Sequence, residues 1–170
     1  TPPRDGAEGG ACYRRPFEAP GEWLGRAVTL RFGSANYVAD VWLNGKHLGQ
    51  HLGGYLPFSF DLTDGLNASG KNEVVVRINN EDNKITGPKP LKDLDYIQYG
   101  GISRDVNLII KPAVHITDEM LSSTPAGGGV FVTYPKADAS QATVRVKTEV
   151  ANRAQEPRTV TVRQALLRDG

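Results

Sequence analysis

Hydrophobic and polar positions alternate with a period of two along most of this chain. In residues 37–43, Tyr37, Ala39, Val41 and Leu43 fall on one side and Val38, Asp40 and Trp42 on the other, the pattern of a strand with one buried face. Asn44-Gly45 follows, two residues that tolerate positive φ, and predicts a two-residue hairpin turn. With that turn, Trp42 lies opposite His47 and Val41 opposite Leu48. The return strand over residues 46–51 then keeps the same inner face, and His47 and His51, four apart, share one side. Gly53-Gly54 marks a bend or a close backbone approach, after which Phe58, Phe60 and Leu62 resume the alternation.

The same period predicts the flanking strands. Residues 13–17 read as a short edge strand, because Pro16 cannot donate to a ladder. In residues 27–32, Val28, Leu30 and Phe32 point inward while Thr29 and Arg31 point out; in residues 73–79, Val74, Val76 and Ile78 point in while Val75 and Arg77 point out. Asn67-Ala68-Ser69 matches a glycosylation sequon but reads as a turn before that strand. From residue 80 to residue 99 the alternation vanishes, and a patternless stretch of that length inside a domain points to a functional loop. Strand character returns at residues 106–110 and stops at Pro112. No stretch repeats at 3.6, so the fold class is all-β.

Beyond Pro112 the segments 115–117, 130–134, 143–150 and 159–166 read as strands of a second unit, with Gly127-Gly128-Gly129 as a flexible connector. Val144, Val146, Thr148 and Val150 line one face there. About four strands is fewer than the seven or so of an immunoglobulin-like sandwich, so the unit is expected to be partial, its open edges completed by more chain or by a partner. The expected organisation is a β-sandwich over residues 1–112 and a partial immunoglobulin-like sandwich over residues 113–170.

Composition narrows the chemistry. Twenty basic and 19 acidic side chains are interspersed, which argues against a nucleic-acid partner, and no apolar run reaches the roughly 20 residues of a membrane helix. The single cysteine, Cys12, excludes an internal disulfide and is expected to be a small buried hydrophobe. His47, His51 and His115 have no spacing that pairs them with it as a catalytic base. Asp93 and Asp95 could be read as a metal-binding pair, but two carboxylates in one polar loop are expected to be solvated, and no metal site is assigned. Trp23 and Trp42 are expected to pack and not to stack on sugars.

Three ordered motifs carry a family resemblance: Val41-Trp42-Leu43-Asn44-Gly45, then Gly53-Gly54-Tyr55 with Pro57-Phe58, then Gly100-Gly101-Ile102-Ser103-Arg104-Asp105-Val106. Over residues 12–112 the chain resembles the N-terminal sugar-binding jelly roll of glycoside hydrolase family 2, with a galactose-binding-like fold. The resemblance implies structural roles for Trp42, Asn44, Gly45, Gly53, Gly54, Gly100, Gly101 and Arg104, the last as an ion pair or loop anchor. It also implies that Asp95, with Asp93 and Tyr96 beside it, reaches substrate, because an ionised carboxylate accepts from adjacent sugar hydroxyls and so fixes orientation as well as affinity. Tyr99 is a second candidate for a flat face against a ring.

In that family the catalytic glutamates lie in a separate barrel. The resemblance therefore implies no catalytic residue and no cofactor in this chain, which would build one wall of the active site of a bacterial β-galactosidase-like exo-glycosidase. The partners implied are a β-galactoside or related glycan, the catalytic barrel and further copies of the subunit, with a periplasmic or secreted setting favoured. A stand-alone carbohydrate-binding module without hydrolase activity is the alternative.

Overall fold

The computed structural model describes residues 4–5, 9–82, 99–122 and 124–167. Asp93, Asp95 and Tyr96 lie outside the described residues. Fourteen strands are formed among those described: β1 Arg4–Asp5, β2 Gly10–Glu18, β3 Ala27–Phe32, β4 Ala35–Asn36, β5 Val38–Leu43, β6 Lys46–Leu52, β7 Phe58–Asp61, β8 Lys71–Asn79, β9 Tyr99–Ile102, β10 Val106–Lys111, β11 Val114–Ile116, β12 Val130–Ala137, β13 Ala142–Thr148 and β14 Val150–Asn152. The only helical turns among them are two three-residue 3-10 segments, Gly21–Trp23 and Thr63–Gly65.

Two antiparallel sheets face each other, one ordered β2-β8-β5-β6 and the other β10-β3-β7. The inward positions predicted from the alternation fill the space between them. Val28, Leu30, Phe32, Val41, Leu43, Val74, Val76 and Ile78 form one buried cluster with Phe58 and Leu62. Phe32 stacks on Phe58 at 4.7 Å, a parallel ring contact that ties the two strands carrying them. Burying a side chain of this size contributes about 1.5–3 kcal/mol, so this cluster is the main source of the sandwich's stability.

The predicted hairpin forms, with Asn44 at φ 50 and Gly45 at φ 80. Trp42 lies opposite His47 as expected, but Val41 lies opposite Gly49 and not Leu48, because a bulge interrupts the register between Val41 and Trp42. Gly49, at φ 152, supports a backbone there that side chains disfavour. The bulge reverses the parity beyond it. His47 stays on the outer face with Asp40, whereas His51 turns inward and stacks on Phe58 at 3.9 Å, so the two histidines do not share a face. Trp42 is half-buried with its ring 4.9 Å from that of His47.

Three other expectations are corrected. Cys12 is exposed, since it sits opposite the outward-facing Arg77 on the edge strand β2, itself longer than predicted. Residues 159–166 form no strand: alternation alone cannot make one without a neighbour to pair with, and Val160, Val162 and Leu166 are exposed. Gly127-Gly128-Gly129 is a packed turn and not a loose connector, because Gly129 donates its N–H to the Thr117 hydroxyl at 2.8 Å and Gly127 to the Thr124 carbonyl at 2.9 Å.

The second unit consists of the pairs β11-β14 and β12-β13, with Val144, Val146, Thr148 and Val150 alternately sheltered as expected. It covers the outer face of the β10-β3-β7 sheet, which explains why Thr29, predicted to point out, is buried. Arg153 fastens the contact, with Nη1 donating to Asp61 at 2.6 Å and Nη2 to Asp64 at 3.2 Å. Arg31 lies 3.5 Å from Glu119 nearby.

Candidate functional site

The register of the strands brings separate parts of the sequence to one end of the sandwich. Val38 at the start of β5 pairs with Leu52 at the end of β6 and with Asn79 at the end of β8. At the same corner β9 pairs with β4, placing Gly101 opposite Asn36 and Ile102 opposite Ala35. Two of the three sequence motifs, Gly53-Gly54 and Gly100-Gly101 with Arg104, therefore meet around Asn36. The third motif lies at the far end of β5. There the Asn44 amide donates to the Gly65 carbonyl at 3.0 Å and to Asn72 at 2.9 Å, while its oxygen accepts from the Glu73 N–H at 2.9 Å.

The glycines at this corner are required by contact. A Cβ on Gly54 would stand 2.7 Å from Asn36 Nδ2, and Gly101, at φ 93, packs directly against the Tyr13 hydroxyl. The Gly53 N–H donates to the Tyr37 carbonyl at 3.1 Å, holding the bend over the start of β5. Arg104 Nη1 donates to the Tyr55 carbonyl at 3.3 Å, linking the two loops. Its own backbone is fixed beside β3, where the Gly33 N–H donates to the Asp105 carbonyl at 2.8 Å and Ser34 and Ser103 share a hydroxyl–hydroxyl hydrogen bond of 2.6 Å.

The result is a rim with a buried polar floor and an apolar, aromatic lip. Asn36 is 2% exposed, whereas Tyr55, Leu56 and Tyr99 are 50%, 73% and 52% exposed. His51 lies on the floor beside Gly53, and burial pushes its pKa below the usual histidine range, so the imidazole is neutral at neutral pH. A neutral imidazole and a primary amide offer hydrogen bonds without charge.

Of the residues expected to reach substrate, Asp93, Asp95 and Tyr96 are outside the described residues, and Tyr99 stands on the rim. Nothing in the sequence places Asn36 and His51 together at this corner. The only sequence signal for His51 was its position two residues before Gly53, and the bulge that turns it inward is not written in the alternation. A second polar group, missed for the same reason, lies on the outer face of the larger sheet. There the buried Asp40 carboxylate accepts from Gln50 at 3.1 Å, with His47 at 3.2 Å and Arg77 at 3.9 Å. No group of three or more His, Cys, Asp or Glu side chains that could hold a metal occurs among the described residues, and none of their helices is long and apolar enough to cross a membrane.

Two antiparallel sheets packed face to face as a jelly roll define the class, an all-β sandwich. Residues 2–112 match the family described as glycosyl hydrolases family 2, sugar binding domain, and the chain belongs to glycoside hydrolase family 2. It is 39% identical to a β-glucuronidase of Bacteroides fragilis over 85% of this chain and 19% of that protein. It is 30% identical to a β-galactosidase of Thermoanaerobacter pseudethanolicus over 83% of this chain and 18% of that protein. The crystal structure of Bacteroides uniformis β-glucuronidase superposes with a TM-score of 0.74 at 32% identity, covering 88% of this chain and 17% of that one. The chain thus spans about a fifth of the length of the curated relatives it matches.

Proposed function

We propose that this chain is the non-catalytic N-terminal region of a family 2 exo-glycosidase that removes terminal β-linked sugars, and that it forms one wall of the active site and supports the catalytic barrel. The observation that carries the reading is the family match over residues 2–112 together with the meeting of the Gly53-Gly54 and Gly100-Gly101 motifs at one rim. In this reading Asp95 accepts hydrogen bonds from sugar hydroxyls, with Asp93 and Tyr96 beside it. The boundary between the jelly roll and the partial immunoglobulin-like unit falls at residues 112 and 113, and the enzyme is a homo-oligomer.

The reaction follows the retaining course, in which one carboxyl protonates the leaving oxygen and a carboxylate about 5–5.5 Å away attacks the anomeric carbon. Both belong to the barrel. The contribution of this chain is to orient the sugar, which raises the rate by holding the reacting atoms in line. A β-glucuronide is the first substrate class, because the relative with 39% identity is a β-glucuronidase; a β-galactoside is the second, because the relative with 30% identity is a β-galactosidase.

Assay of the full-length protein on p-nitrophenyl β-D-glucuronide and p-nitrophenyl β-D-galactoside separates these substrates. The expected result is turnover of the glucuronide with the larger kcat/KM, and no turnover by the 170-residue chain. Nitrophenol released by the repurified 170-residue chain would refute the non-catalytic assignment. Absence of turnover by the full-length protein on either substrate and on other aryl β-glycosides would favour the carbohydrate-binding module.

A further inference from the structure

We infer that Asn36 and His51 hold an uncharged hydroxyl oxygen beneath the Gly53-Gly54 bend. Three buried polar atoms at this corner, Asn36 Nδ2, Asn36 Oδ1 and His51 Nε2, have no hydrogen-bond partner among the described residues. Buried polar groups are almost always paired, so these unpaired atoms, two on the Asn36 amide and one on the His51 imidazole, point to an occupant. Exchanging the amide nitrogen and oxygen of Asn36 does not remove the deficit, because neither position has a partner to begin with.

The unpaired atoms specify the occupant. The Asn36 amide offers both a donor and an acceptor, and a neutral imidazole offers one or the other at Nε2 according to its tautomer. The complement is a group that donates and accepts while carrying no charge, which describes a hydroxyl oxygen. A Cβ on Gly54 would lie 2.7 Å from Asn36 Nδ2 and a Cβ on Gly53 would lie 3.3 Å from His51 Nε2, so both polar tips abut consecutive glycines of one bend. Phe58, stacked on His51 at 3.9 Å, closes the other side of the imidazole. An ordered water and a ring hydroxyl of a bound sugar share this chemistry. Buried waters in proteins typically make about three such bonds.

A high-resolution crystal structure of the protein, free and soaked with methyl β-D-glucuronide, tests the inference. The expected result for the free protein is an oxygen about 2.7–3.2 Å from the Asn36 amide and from His51 Nε2. Replacement of that oxygen by a sugar hydroxyl in the soaked crystal would make it a carbohydrate subsite, an arm that rests on the proposed glycosidase reading. An oxygen that stays in place as water would leave the site standing and count against a sugar at this position alone. Dry density, or a direct Asn36–His51 hydrogen bond, would overturn the inference.

In solution, N36L removes the partner of the bound oxygen and should lower Tm by roughly 2–4 °C or more. An unchanged or raised Tm would mean that the amide was an unpaired liability, and would equally overturn it.

Discussion

Asp61 and His51 respond to acid in separate pH windows, and each has a physical cause in its surroundings. Burial tends to raise the Asp61 carboxyl, but hydrogen bonds from the Thr63 hydroxyl and N–H and from Arg153 outweigh it and hold the pKa below the usual range. A carboxyl with a depressed folded pKa contributes stability that is present above its unfolded pKa of about 3.9 and is lost as the pH falls through the folded value. His51 is depressed by burial alone. The unfolded chain therefore takes up a proton there first, and stability falls once the pH drops below the unfolded histidine pKa of about 6.5. Urea titrations at pH 7.5 and pH 5.5 should show a smaller loss of stability in H51F than in the wild type. Equal losses would mean that His51 is not the group responsible.

Some residues could be placed from the sequence and others could not, for identifiable reasons. The buried aliphatic positions of residues 27–32, 37–43 and 73–79 were legible because a one-residue slip would expose the whole set. Cys12 was misjudged because burial of a small residue depends on which face of which strand it occupies. His51 was misjudged because one bulge upstream reversed its side.

At the scale of the element, the β9 strand depends on Gly101. Its φ of 93 is one that other residues reach at a cost of order 1–3 kcal/mol, and a side chain there would press on the Tyr13 hydroxyl. G101A should therefore destabilise the chain by about 1–3 kcal/mol in urea denaturation, and Y13F should recover part of that loss by removing the hydroxyl without altering the backbone strain. No recovery in the double variant would show that the backbone alone carries the cost. Strands bounded by turn chemistry, such as β5 and β6 around Asn44-Gly45, could be drawn from sequence. The alternating residues 159–166 could not be resolved that way, since a strand is a property of a pair and the alternation names only one member.

At the scale of the molecule, the two β units meet at the grip of Arg153 on Asp61, Thr63 and Asp64. The Arg153 and Asp61 side chains are 32% and 41% exposed, so solvent and salt screen the pair, and exposed pairs of this kind are worth about 0–1 kcal/mol. R153Q should lower Tm by no more than a few degrees, and the difference from wild type should shrink in 1 M NaCl. Its more specific effect should be faster amide hydrogen exchange in β3 and β7, the strands beneath the second unit, with β5 unchanged. Uniform exchange across the sandwich would contradict a local joint. The Arg153 joint was not legible in the sequence, because Arg153 and Asp61 are 92 residues apart.

If this sandwich shapes the sugar site of a larger hydrolase, the kcat/KM of full-length D95A on p-nitrophenyl β-D-glucuronide reports it most directly. Losing a charge-assisted hydrogen bond costs about 1.5–3 kcal/mol, so kcat/KM should fall by about 10- to 150-fold while Tm stays at the wild-type value. A D95A enzyme with wild-type kcat/KM would contradict it.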